Sequence, residues 1–153
     1  MRTAARKTGD AVPLKVLLAS STWWSSPAKL ALAFLRNGCE VEAVCGRDHP
    51  FRFISGINRI HNYQGLNSLK SLDEAITLSD PDLVVPCDDT VVWQLHELHR
   101  TKLRLQPLIE RSLGGASSYG IVAGRAELMQ IAQELQIRTP QARRIATATD
   151  LEE

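Results

Sequence analysis

Val16-Leu17-Leu18-Ala19 forms an unbroken aliphatic run inside the near-continuous apolar stretch from Leu14 to Ser21. A strand with one face in water alternates apolar and polar residues, whereas an uninterrupted run buries both faces, as strands do in a parallel sheet covered by helices. The next residues, Ser20-Ser21-Thr22-Trp23-Trp24-Ser25-Ser26-Pro27, are polar and place Ser26 as a helix cap ahead of a proline in the first turn. A helix is predicted over 27–37, its core stripe formed by Leu30, Ala31, Phe34 and Leu35 and its stop by Asn37-Gly38; such a helix reads as short and heavily buried. Glu40 to Cys45 alternates, which puts Val41, Ala43 and Cys45 on one face of a second strand. Strand, helix and strand thus follow one another within about thirty residues, the length of a parallel crossover unit.

The pattern then repeats more loosely. Arg59 to Tyr63 reads as a short outer strand, and Ser71 with Glu74 forms a capping box before a helix, with Ser68 an alternative start. Asp80-Pro81 ends that helix, and Leu83-Val84-Val85 is a compact apolar strand whose character implies a central position. A helix through about residue 100 follows, carrying Val91, Val92, Leu95 and Leu98 on one face. Strands alternating with helices specify an α/β fold with a doubly wound, mainly parallel sheet. Residues 102–115 are expected to add an irregular connection and a short helix. Beyond Gly114-Gly115, Leu128, Ile131, Ala132 and Leu135 mark an amphipathic helix starting at Arg125, and Arg143 to Ala146 a strand. The organisation expected is a disordered tail over 1–12, a domain over 13–115, and a linker helix opening a second lobe over 116–153.

Composition removes several functions. The 153 residues, 44% of them hydrophobic, can bury one ordinary core, and 18 basic against 17 acidic residues give a net charge of +1. That charge supplies no field for nucleic acid or an anionic membrane surface, and no apolar run approaches the roughly 20 residues that span a bilayer. Cys39, Cys45 and Cys87 are odd in number and lack CxxC spacing, as expected of reduced thiols in a cytoplasmic protein. Arg2, Arg6 and Lys7 precede no signal-length apolar stretch, so secretion is not expected.

Doubly wound sheets bind ligands beyond the carboxyl ends of their strands, which directs attention to the loops after the first and the Leu83–Val85 strands. Ser21, Thr22 and Trp23 in the first loop are candidate substrate-binding residues, offering hydroxyls, backbone N–H groups and an aromatic surface. The same loop has none of the glycines a dinucleotide turn requires, which argues against a nicotinamide site. Asp88 and Asp89 can hold an amine, a metal or a hydroxyl, or cap the helix they precede. His96-Glu97-Leu98-His99 lacks metalloprotease spacing, no GxSxG elbow is present, and a polar helix face accounts for the histidines.

Two segments, Pro81-Asp82-Leu83-Val84-Val85-Pro86-Cys87-Asp88-Asp89 and Gly124-Arg125-Ala126-Glu127-Leu128-Met129 leading to Ile137-Arg138-Thr139-Pro140, resemble in that order the N-terminal region of ATP-grasp enzymes. The resemblance spans roughly Leu14 to Glu153. It implies a Rossmann-like pre-ATP-grasp domain ahead of nucleotide-binding lobes, in a protein that activates a carboxylate for attack by an amine on a small-molecule substrate. It further implies that ATP and magnesium serve the complete parent protein and that Arg125 approaches the ATP phosphates. The family's ATP-binding lysine and its magnesium ligands match no residue here, so the resemblance implies a chain inactive by itself. A stand-alone Rossmann-like binding module, pairing with a second copy through an exposed sheet edge, is the alternative; a sugar-nucleotide enzyme shares the fold class, but no motif here points to one.

Overall fold

The computed structural model describes residues 12–140, excepting the side chains of Ala123 and 125–127. The elements run β1 (Lys15–Ala19), α1 (Ser26–Arg36), β2 (Glu40–Cys45), a tight helical turn at Pro50–Phe53, β3 (Ile57–Asn62), α2 (Ser68–Ser79), β4 (Leu83–Pro86), α3 (Asp89–Thr101) and α4 (Gln106–Leu113). After them come α5 (Tyr119–Ala123) and α6 (Arg125–Glu134). The chain divides into two compact units at Leu113/Gly114.

In the first unit the four strands form an all-parallel sheet in the order β3-β2-β1-β4. This is a doubly wound, Rossmann-like arrangement: the chain builds outward from β1 to β2 and β3, then returns to the other side of β1 for β4. Strand alternation sorts the core into two layers. Val16, Leu18, Val41, Ala43 and Cys45 pack with Ala31 of α1 and Phe51 of the Pro50–Phe53 turn. Leu17, Ala19, Val44 and Val84 point the opposite way, the side on which α2 and α3 bury Leu72, Ala75, Ile76, Val91, Leu95 and Leu98. Each of these larger side chains contributes about 1.5–3 kcal/mol by leaving water.

Four features depart from the sequence-based expectations, each for an identifiable reason. β4 lies at an edge of the sheet rather than its centre; its apolar residues report covering of its two faces, not a strand on each side. The outer edge is closed as well: Cys87 N–H donates to the Ala19 carbonyl, so the backbone groups of the alternate residues Val84 and Pro86 face the edge. Val84 N–H there donates to the Ser112 hydroxyl of α4 at 2.9 Å, and Pro86 has no N–H to offer. β2 is buried on both faces, because Glu42 sits at 7% exposure between Lys15 Nζ at 3.1 Å and His61 Nε2 at 2.8 Å.

The third departure is α1, which buries only Pro27 and Ala31 while Leu30 and Leu32 stay exposed. Fourth, the capping box at Ser71 does not form: α2 begins at Ser68, the alternative start, and Ser71 inside it donates back to the Asn67 carbonyl. The helix stop after Asn37 is as read: Gly38 takes φ +79°, a left-handed conformation that favours glycine. In the second unit, α6 starts at Arg125, and its Leu128 and the C-cap residue Leu135 are exposed. The strand expected at Arg143–Ala146 lies outside the described residues. No helix among the described residues is long and apolar enough to cross a membrane.

Candidate functional site

The order β3-β2-β1-β4 puts the topological switch point between β1 and β4, where connections leave the sheet toward opposite sides and open a crevice at the carboxyl ends. The segments that meet there are Ser20–Trp24 after β1 and Cys87–Asp89 after β4, because Leu18↔Val85 and Ala19↔Pro86 are register partners. Parallel register thereby brings residues 67 positions apart into contact.

Asp88 is the centre of this meeting. Its Oδ2 accepts from Ser21 N–H at 2.7 Å, and its Oδ1 accepts from the Ser21 hydroxyl at 2.8 Å and from Val91 N–H at 3.0 Å. The Val91 bond is a helix N-cap on α3, satisfying one of the donors that a helix start leaves open. Ser20, almost fully buried, sets its hydroxyl 2.9 Å from the Thr22 carbonyl and 3.3 Å from Asp88; a single hydroxyl proton makes the shorter contact the main one. Asp88 therefore couples the β1 loop to the α3 start, and its lone pairs are largely committed inside the protein.

The other sequence candidates separate by role. Ser21 is half-buried and spent on Asp88, through both its N–H and its hydroxyl. Thr22 is exposed and lends its carbonyl to Ser20. Trp23 is 70% exposed, but its indole N–H donates to the Asp48 carbonyl at 2.9 Å, which fixes the ring across to the loop after β2. Neither tryptophan is packed away, since Trp24 is also 59% exposed. Trp24, Pro27, Leu30, Pro86 and Cys87 line a shallow apolar groove beside the crevice. Asp89 is the first residue of α3 and exposed. Arg125 opens α6 in the second unit, and its side chain lies outside the described residues.

Two thiols near the crevice are chemically quiet. Burial pushes Cys45 up to about 11 and Cys87 up to about 12, the Asp88 carboxylate adding to the latter, so both stay protonated and poorly nucleophilic near neutrality.

The loop after β2 is a contributor the sequence did not reveal. His49 is 2% exposed, caps the Pro50–Phe53 turn by accepting from Phe51 N–H at Nδ1, and stacks at a tilt on the Phe51 ring with centroids 4.3 Å apart. The available signal was a side-chain acceptor directly before a proline at a helical first turn. Burial holds the imidazole below its ordinary pKa, opposed in part by the Asp88 charge.

What this assembly does is tie the β1 loop to the start of α3, with the Ser20 and Ser21 hydroxyls and the Ser21 N–H engaged inside the protein. Its best-placed carboxylate is occupied by hydrogen bonds and its two nearest thiols are protonated near neutrality. No protein-family model matches this chain, and no curated protein matches it.

Proposed function

We propose that the chain forms the substrate-facing front end of an ATP-dependent carboxylate–amine ligase of the ATP-grasp kind, with its first unit holding a small substrate at the crevice between β1 and β4. One observation carries this reading: a β3-β2-β1-β4 parallel sheet whose switch-point loop lacks a glycine phosphate cradle and is instead locked by Asp88. Such a crevice suits substrate binding and leaves nucleotide binding to another part of the protein. Arg125 at the start of α6, followed by Thr139-Pro140, supports assigning the second unit to the approach toward an ATP lobe. In this reading ATP and magnesium act in the parent protein, and this chain alone does not turn ATP over, because one arginine cannot replace the metal and cations that phosphoryl transfer requires.

A second reading, a Rossmann-like binding module without catalysis, is favoured by the compactness of the first unit, which carries the buried apolar residues from Val16 to Ile109. Thermal-shift titration with magnesium-ATP tests the ligase reading, since a ligand confined to the folded state raises stability by RT ln(1 + [L]/Kd). The ligase reading expects no shift for this chain at millimolar ATP. A saturable shift abolished by Arg125→Ala gives this chain a nucleotide site of its own and refutes the division of labour. Phosphate release from magnesium-ATP above a denatured control refutes the absence of turnover.

A further inference from the structure

The Leu83-Val84-Val85 run has the apolar sequence of a strand covered on both faces, yet the two faces are covered unequally. Val84 points to the side of α2 and α3 and is 1% exposed. Leu83 and Val85, register partners of Val16 and Leu18, turn to the α1 side and stay half-buried, as does Cys87. On that same side Val16, Leu18, Val41, Ala43 and Cys45 of the two central strands are completely buried against Ala31 and Phe51. The crossover from β1 to β2 lays α1 over those two strands, and α4 meets β4 at its edge through the Ser112 hydroxyl. What β4 presents toward α1 is a groove of about 230 Å³, lined by Trp24, Ser26, Pro27, Leu30, Pro86 and Cys87.

The walls of this groove are apolar and open to solvent, with Trp24 59% and Leu30 38% exposed. α1 supplies the long wall, about 16 Å from end to end. Ala33, three residues beyond Leu30 and seven beyond Ser26, continues the flank that those two begin. Small side chains at Ser26 and Ala33 let a second helix approach α1 closely. Lys29 and Arg36, also seven residues apart and both exposed, run along the outer rim of the same helix, which has no acidic residue. Among the described residues neither cation is in an ion pair. A second copy of the chain packed here would set these cations against each other, and a bilayer surface is flat where this site is concave.

We propose that the groove between α1 and β4 docks an amphipathic helix of a partner protein, apolar along one stripe and acidic along the flank that meets Lys29 and Arg36. Trp24 and Leu30 are its anchors, and the two cations select the partner's charge and orientation. A helix seated there completes the cover that the apolar sequence of β4 requires. The inference does not rest on the ligase reading, and its test involves no nucleotide.

The test is nitrogen-15 NMR of the tryptophan indole N–H groups in the full chain, titrated with a synthetic helical peptide of about 18 residues bearing a leucine stripe flanked by glutamates. Trp24 reports on the groove, and Trp93, exposed on α3, serves as the control for indiscriminate apolar contact. The expected result is a saturable shift at Trp24 while Trp93 stays still. Leu30→Asp, at a partly exposed position, should weaken binding about tenfold or more. Lys29→Glu combined with Arg36→Glu should reverse the preference between this peptide and a copy with lysines in place of the glutamates. The proposal is overturned by no saturable shift at Trp24 up to about 1 mM peptide, by an equal response at Trp93, by undiminished binding in Leu30→Asp, or by an unreversed preference in the charge variant. A Trp24 shift produced by raising the protein concentration alone assigns the groove to a second copy, and one produced only by phosphatidylserine vesicles assigns it to a membrane. Either of these also overturns it.

Discussion

Asp88→Ala tests whether the crevice is held by one carboxylate. The substitution removes the N-cap bond to Val91, worth about 1 kcal/mol. It also removes the two bonds from Ser21, each worth about 1.5 kcal/mol because the acceptor is ionised. The 3.3 Å Ser20 contact adds little, since that hydroxyl keeps its Thr22 bond. The expected loss is about 4 kcal/mol, a large share of the 5–15 kcal/mol by which domains are stable. Asp88→Asn retains one acceptor oxygen, still caps α3, and presents an amide donor toward Ser21; it should cost about half as much. Urea unfolding followed by tryptophan fluorescence measures both, with a lowered midpoint and an unchanged slope expected. A loss below about 1 kcal/mol for Asp88→Ala would show that these bonds exchange with water at no cost, and would refute the view that Asp88 fixes the loop.

Two further outcomes follow from the titratable groups. Burial by itself raises the Glu42 carboxyl, but the hydrogen bonds from His61 and Lys15 and the Lys15 charge outweigh it and hold the pKa below 4.5. A depressed folded-state pKa gives stability that is present above the unfolded value and lost as pH falls through the folded one, so Glu42→Gln should flatten the fall in urea midpoint below pH 4.5; identical pH profiles would refute this. Cys45, fully buried and pushed up to about 11, should label with a thiol reagent at pH 8 far more slowly in the native protein than in urea, and fast native labelling would contradict its burial.

Local pattern carried the element types, and non-local pairing carried most of what it missed. Val16–Ala19 and Leu83–Val85 were legible as strands because covering both faces of a strand leaves a continuous apolar signature. The same signature is silent on lateral neighbours, which is why β4 at an edge read as central. Glu42 looked solvent-facing in an alternating segment; its partners Lys15 and His61 come from the two adjacent strands, and no window along the chain contains all three. Asp88 was recognisable both as a cap and as a crevice residue, and it is both, since the register β1↔β4 delivers Ser21 to the carboxylate that caps α3. His49 carried no periodicity and became visible only once the turn over Phe51 had formed.

The closed flank of β4 sets a direction for any enlargement of the sheet. A strand docking beside β4 would meet a proline where it needs a donor, and would have to displace the Ser112 hydroxyl, which itself donates to the Leu108 carbonyl and so belongs to α4. Further strands, whether from another part of a larger protein or from a second molecule, find their backbone partners along β3 instead. In that sense, among the described residues, the sheet has a finished side at β4 and a growing side at β3, Ile57–Asn62, where Arg59 interrupts the edge with charge.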